Sequence, residues 1–241
     1  SLTSVTIPDS VTTIGDYAFR GCSSLTSVTI PDSVTTIGWS PFSHCSSLQE
    51  FNGDFASEDG RCIIIEGVLE SFASAGLTEY TIPDSVTSIG ISAFSYCSSL
   101  TSVTIPDSVT TIGNYAFYNC SSLTSVTIPD SVTEIGEWAF AECYSLTSVT
   151  IPDSVTSIRN YAFAYCSNLT SVTIPDSVTE IGDKAFYYCE SLTSVYCKAV
   201  TPPVGGSDMF SYNASGRKIY VPMESVNKYK SASYWSSYSD Y

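Results

Sequence analysis

Residues 100–122 read LTSVTIPDSVTTIGNYAFYNCSS, and their spacing decides the fold. Nearly the same 23 residues start at Leu2, Leu25, Leu77, Leu100, Leu123, Leu146 and Leu169. A longer, divergent copy starts at Leu48, and a last copy at Leu192 runs into a different tail. A fixed period of this length is the mark of a solenoid, in which each unit packs only on its neighbours.

Counting from the leucine as position 1, apolar residues fall at positions 1, 4 and 6 (Leu100, Val103, Ile105), with Thr101, Ser102 and Thr104 between them. The Val-Thr-Ile end alternates as a half-buried strand does. Pro106 has no amide hydrogen and ends the pairing. Asp107-Ser108 is turn chemistry, because both side chains can bond nearby backbone amides. Val109 and Ile112 point inward from a second extended piece. Ala116, Phe117 and Cys120 follow at a spacing that predicts one or two turns of α- or 3-10 helix. A strand on one side and a helical turn on the other make one coil of a leucine-rich-repeat solenoid.

The regular units frame one irregular one. In the second unit Pro41 replaces the usual alanine, a residue that suits the first turn of a short helix. Residues 48–76 are six longer than the period, and within them CIII, then Glu66-Gly67, then VLESF predict a β-hairpin. The hairpin is expected to replace the second strand and helical turn of that coil, either as a binding protrusion or as a tolerated insertion. Phenylalanine holds position 18 in all seven regular units, which predicts an aromatic spine. Glycine holds position 14 except at Arg159, so either that turn is strained there or the glycine serves close packing. Residues 1–195 are read as the solenoid, with the insertion at about 54–76. Residues 196–241 are read as a carboxy-terminal cap, whose Phe210, Tyr220, Tyr229 and Trp235 can cover the open end of the core.

Charge narrows the function. The chain of 241 residues has 24 Asp and Glu against 9 Lys and Arg. Residues 1–183 carry 20 acids and 3 bases, a net of −17, and residues 184–241 carry 4 acids and 6 bases, a net of +2. So acidic a body repels phosphate backbones, which argues against nucleic acid and anionic membranes. No apolar run reaches the roughly 18 residues of a membrane span. The chain opens inside the repeat phase and is expected to be a mature or truncated fragment. Of nine cysteines, seven occupy position 21 (Cys22, Cys45, Cys97, Cys120, Cys143, Cys166, Cys189). They read as a column of small buried thiols, although disulfides between stacked coils are within geometric reach. With no CxxC pair and one histidine, His44, a zinc site is not expected.

The pattern LxxVxIPxSVxxIGxxAFxxC, with departures such as Pro41 and Arg159, resembles the repeat of BspA-like leucine-rich-repeat proteins of bacterial surfaces, of the treponemal 23-residue type. The FASEDGRCIIIEGVLESFASAGLTEYTIP segment and the VYCKAVTPP and IYVPMESVNKYK pieces of the tail resemble gut Bacteroidetes members of that family. The resemblance implies a secreted or surface-anchored bacterial protein with an adhesive role, and it implies no catalytic or ligand-binding residue. It also supports a right-handed α/β solenoid of nine strands, in line with the general crossover rule.

The inventory offers no enzyme. No nucleophile motif surrounds any serine, and the seven repeat aspartates (Asp9, Asp32, Asp84, Asp107, Asp130, Asp153, Asp176) are equivalent turn residues rather than a carboxylate pair. Such a column could recruit calcium, but each aspartate can satisfy its own turn; no cofactor is expected. The exposed strand face repeats Thr-Ser-Thr, which strand propensity explains. Variation gathers instead at positions 12, 15, 16, 19 and 20, on and before the expected helical turn, and aromatics gather there. Tyr115, Trp138 and Tyr161 take position 16 in consecutive coils, and Tyr118 and Tyr165 are expected to widen the patch by helical spacing. These five are the candidate surface for a host or microbial surface protein or glycan; alternatively the rings lie flat between coils and shield the core. A monomeric, non-enzymatic binding module is the leading function, a structural spacer the second, and a carbohydrate-active enzyme a remote third.

Overall fold

The Val-Thr-Ile end of each unit pairs with its own copy one period on. In the computed structural model, which describes residues 2–238, Ser102, Val103 and Thr104 lie parallel and in register with Ser125, Val126 and Thr127. Those pair in turn with Ser148, Val149 and Thr150. The valines stay buried and the following threonines exposed, so a slip of one residue would turn the apolar set outward. A second ladder stacks the two-residue strands Thr111–Ile112, Glu134–Ile135 and Ser157–Ile158.

The third segment of the coil corrects an expectation. Among the described residues no helix occurs before Met223, and positions 14–21 form consecutive hydrogen-bonded turns. The amides of Ala116, Tyr118 and Cys120 close turns onto Gly113, Tyr115 and Phe117 at 3.3, 3.0 and 3.2 Å. The alternate amides, of Tyr115, Phe117 and Asn119, donate to Glu137, Ala139 and Ala141 of the next coil at 2.9, 2.7 and 2.9 Å. Tyr115 and Asn119 take φ of 58° and 55°, which breaks the run of right-handed residues a helix needs. The segment is therefore a third inter-coil ladder. Helical spacing in the sequence reflected which side chains point inward, not helical hydrogen bonding.

Side chains add rungs. The serine of Asp-Ser does not close its own turn: Ser108, Ser131 and Ser154 Oγ reach the preceding coil at Val86, Val109 and Val132 carbonyls, at 2.7, 2.6 and 2.6 Å. Cys120, Cys143 and Cys166 Sγ likewise donate to the carbonyls of Phe94, Phe117 and Phe140 at 3.1, 3.3 and 3.2 Å. All nine cysteines are thiols, and Cys22 on the first coil is only half-buried. The position-14 glycines serve close packing: Gly136 has no positive φ, and a Cβ there would meet Asn114 N and Gly113 C at 2.6 Å. Arg159 also avoids the left-handed region, and its guanidinium pairs with Glu134 at 3.0 Å on the surface.

The aromatic spine runs from Phe94 through Phe117, Phe140, Phe163 and Phe186 to Phe210, with centroid spacings of 4.9 to 5.5 Å and near-parallel rings. It breaks at the hairpin. Cys62–Ile65 and Val68–Phe72 pair antiparallel around Glu66 and Gly67, both at positive φ. Val68–Phe72 then joins the second ladder beside Ser88–Ile89. The first ladder is split into three strands up to Glu50–Asn52 and seven from Glu79–Thr81 onward. The core divides too: Ile63 and Ala73 pack with the first coils, while Cys62, Leu69 and Phe72 pack with the later ones.

Coil geometry runs past residue 195, where the sequence period fades. Lys218–Tyr220 pairs with Ser194–Cys197, giving ten rather than nine first-ladder strands among the described residues. The short helix Val226–Ser231 and the 3-10 turn Trp235–Tyr238 close the end. Tyr229 Oη donates to Ala199 O at 2.9 Å and Trp235 Nε1 to Pro203 O at 2.8 Å, so both bury their rings with their polar atoms satisfied. Tyr220 does not cover the core; it is exposed and stacks on Tyr196. Residues 239–241, assigned to the cap from sequence, lie outside the described residues.

Two outcomes follow from this packing. Phe140→Ala should cost about 3–5 kcal/mol in chemical denaturation, as for other buried rings, whereas Phe19→Ala on the half-covered first coil should cost well under half as much; equal costs would contradict a stacked spine. For the thiols, burial pushes Cys143 and Cys189 up to about 12 from 9.0. Native protein near neutral pH should react with iodoacetamide chiefly at Cys22, and with denaturant at every cysteine. Because the folded thiols hold protons that the unfolded chain releases, their contribution is complete below pH 9 and declines as pH rises toward about 12. The melting temperature should fall over that range, and less steeply in a Cys143→Ala, Cys189→Ala double variant.

Candidate functional site

Two left-handed positions per coil set the outer face of the turn ladder. Position 16 holds Tyr115, Trp138 and Tyr161 at φ of 58°, 57° and 56°, and position 20 holds Asn119, Glu142 and Tyr165 at 55°, 60° and 62°. A non-glycine residue there costs about 1–2 kcal/mol, which the inter-coil bonds on either side must offset. The same conformation aligns equivalent side chains of successive coils one above another.

At position 16 the rings stack. Tyr115 and Trp138 are 6.0 Å apart at 7°, Trp138 and Tyr161 4.1 Å apart at 7°. Lys184, the position-16 residue of the next coil, ends the column with its Nζ 5.3 Å from the Tyr161 centroid. Tyr118 meets both Tyr115 and Trp138 edge-on at 5.7 and 6.2 Å. Tyr165 belongs to a second group, packing on Tyr187 and Tyr188 at 5.8 and 5.5 Å, with Tyr212 stacked beyond Tyr188 at 4.5 Å. Lys184 Nζ is 5.1 Å from Tyr187 and so touches both groups. The five candidate residues therefore fall into two ring clusters rather than one helical patch. All five are half-buried, and within the column one ring covers the face of the next, so the column presents mainly ring edges to solvent.

Sequence reasoning overlooked Glu142. Its carboxylate accepts from Tyr118 Oη at 2.6 Å, Asn119 Nδ2 at 2.6 Å and Tyr144 Oη at 3.0 Å. Burial first, and then the bond to this carboxylate, push Tyr118 well above the ordinary tyrosine range; the same causes push Tyr144 up to about 12. The only signal in sequence was a single acid among the position-20 residues, which carried no spacing rule. On the competing Thr-Ser face the first threonine of each set is committed: Thr124, Thr147 and Thr193 Oγ1 donate to the preceding coil's threonine carbonyls at 3.0, 3.2 and 3.2 Å. Among the described residues no three His, Cys, Asp or Glu side chains gather closely enough to hold a metal ion, and the repeat aspartates stand exposed. His44 packs against Tyr96 with centroids 4.1 Å apart and the rings tilted by 38°.

Glu142→Gln should shift the tyrosine absorbance titration toward lower pH, because Tyr118 and Tyr144 lose the carboxylate that disfavours their phenolates. An unchanged titration would mean that burial alone sets both groups.

A family model described as BspA type leucine rich repeat region, in six copies, matches residues 1–56, 69–193 and 133–239. A leucine rich cell surface protein from Faecalibacterium prausnitzii is 32% identical over 81% of this chain, with a TM-score of 0.64; the chain spans 60% of that protein's length. A leucine-rich repeat protein from Bacteroides ovatus is 30% identical, the match covering 91% of this chain and 63% of that one, with a TM-score of 0.50. One from Eubacterium ventriosum, 22% identical over 92% of this chain and 78% of that one, shares the fold at a TM-score of 0.61. No match was found among curated proteins.

Proposed function

Since the chain belongs to the BspA-type leucine-rich-repeat family, we propose that it is a non-enzymatic binding module of a bacterial surface or secreted protein, recognising a protein or glycan of a host or microbe through its turn face. The observation that carries this reading is the paired aromatic clusters on that face. Half-exposed tyrosine and tryptophan rings held by a rigid ladder give contact area at low cost in conformational entropy. They sit where successive coils differ, whereas the Thr-Ser face is nearly invariant from coil to coil and the first threonine hydroxyl of each set bonds within the solenoid. The F. prausnitzii relative is described as a cell surface protein, and no helix among the described residues is long and apolar enough to cross a membrane. Monomeric action suits a rigid solenoid with a closed carboxy-terminal end.

The test is a screen of immobilised glycans and extracellular-matrix proteins, followed by Tyr115→Ser, Trp138→Ser and Tyr161→Ser in one chain. The expected outcome is a ligand whose affinity falls at least about tenfold in the triple variant while melting changes by a few degrees. A large drop in melting temperature with unchanged affinity would make the rings core shields. No ligand in the screen would favour a spacer that presents another domain.

A further inference from the structure

The hairpin leaves the turn ladder incomplete. Ser40, Phe42 and His44 hold positions 16, 18 and 20 of the second coil, where other coils donate three amides forward. Their partners would lie on the turn segment that the hairpin replaces. Among the described residues nothing accepts from these amides, and the carbonyls of Ile91, Ala93 and Ser95 on the facing coil receive none. Ser43 between them is 6% exposed, and its Oγ has no hydrogen-bond partner. Phe42, Ser43 and Ala93 are buried, and buried polar groups left this way cost free energy.

The two edges face each other across a groove. Over Ser71 and Phe72 it narrows to about 20 Å³, which leaves no room for a polypeptide strand between them. Toward the aromatic face it opens into a chamber of about 260 Å³. Tyr17, Arg20 and Trp39 line one side, and Tyr96, Tyr115 and Tyr118 the other. The remaining lining residues are Ser40, Ser92 and Ser95, so hydroxyls alternate with rings and no carboxylate or aliphatic side chain intervenes. The Asp16 carboxylate, outside this lining, accepts the Trp39 amide at 2.7 Å.

The cation is equally distinctive. Residues 1–183 hold three. Arg61 is spent on the Ala73 and Ala75 carbonyls at 3.1 and 3.0 Å, and Arg159 on Glu134. Arg20 has no carboxylate partner among the described residues; its guanidinium lies 5.4 Å from the Tyr17 centroid. Trp39 is 51% exposed, and the column that ends on Tyr115 covers only one face of that ring.

We propose that this chamber is a saccharide-binding site selective for a carboxylated sugar, a reading that rests on, and deepens, the assignment of the turn face as the binding surface. The apolar C–H face of a pyranose stacks on Trp39, its carboxylate takes the fork of Arg20, and its hydroxyls exchange hydrogen bonds with the serines. The constriction over Ser71 and Phe72 keeps a polypeptide strand from running through the groove, which favours a compact ligand held in the chamber.

Titration of the whole chain with trigalacturonate, followed by tryptophan fluorescence and calorimetry, tests this against the neutral galactotriose. Expected are saturable binding of the uronate, affinity for the neutral sugar lower by about tenfold or more, and a comparable loss in Arg20→Gln and in Trp39→Ser. Both residues are exposed, so melting temperatures should stay at the wild-type value. No uronate binding, equal binding of the neutral sugar, or full affinity in both variants would overturn the proposal. So would an acidic peptide that binds through Arg20 and Trp39 while the uronate fails to compete. If the uronate fails but the Tyr115, Trp138, Tyr161 variant still loses a ligand found by the screen, the chamber proposal falls and the turn-face reading stands.

Discussion

Every coil ends in backbone groups that only the next coil can satisfy. Three ladders carry this requirement: the valine strands, the two-residue strands and the alternating turn amides. Each hydrogen bond adds only about 0.5–1.5 kcal/mol net, but an unmade buried one costs more than that. The small polar residues of the unit serve the same end. Threonine at position 2, serine at position 9 and cysteine at position 21 all donate to a carbonyl one coil back. At position 15, Asn114 and Asn160 Oδ1 accept the amide of the next coil at 2.8 and 2.9 Å. The period of 23 is thus enforced by polar registration as much as by the apolar spine, and a change of length in any coil has to be absorbed locally.

That view explains what could be read from the sequence. Strand, turn and inward positions are repeated many times, so alternation and apolar spacing identified the ladder and the spine at Val103, Ile112 and Phe117. The hairpin was visible because Glu66-Gly67 is turn chemistry between apolar runs. The helical turn was misread because an inward set at positions 17, 18 and 21 is shared by a helix and by stacked turns; only the direction of the amides separates them, and composition does not encode it. Glycine misled for a related reason. Position 14 holds it for the approach of the neighbouring backbone, while the left-handed positions carry Tyr, Trp, Asn, Glu and Lys. Consequently Tyr161 and Tyr165, four apart, do not join one patch.

The hairpin coil is the place where registration lapses. It interrupts all three ladders, the second resuming only at Val68–Phe72 after Thr36–Ile37, so the core separates into two clusters that meet at residues 62–63. At the carboxy end the corresponding lapse is repaired. Phe210 N, the counterpart of Phe42 N, donates to Tyr238 Oη at 3.2 Å, and the cap buries Trp235 against the last ring of the spine. Among the described residues no element performs that repair between the second coil and Ser92. An insertion that only lengthened a loop would have left the turn ladder whole.

Electrostatics then distinguishes the gap from the rest of the surface. The repeat aspartates stand exposed in a column, and their mutual repulsion is softened mainly by solvent, since charges in water about 4 Å apart interact by only about 1 kcal/mol. Their field is screened over about 8 Å at physiological ionic strength, so it slows the approach of an anion without deciding what happens inside a chamber lined by rings and hydroxyls. There the Arg20 guanidinium, which forms no salt bridge among the described residues, attracts a carboxylate through charge-assisted hydrogen bonds at short range. A surface that rejects polyanions at long range can therefore accept one small anion at short range, provided the anion also brings an apolar face for Trp39.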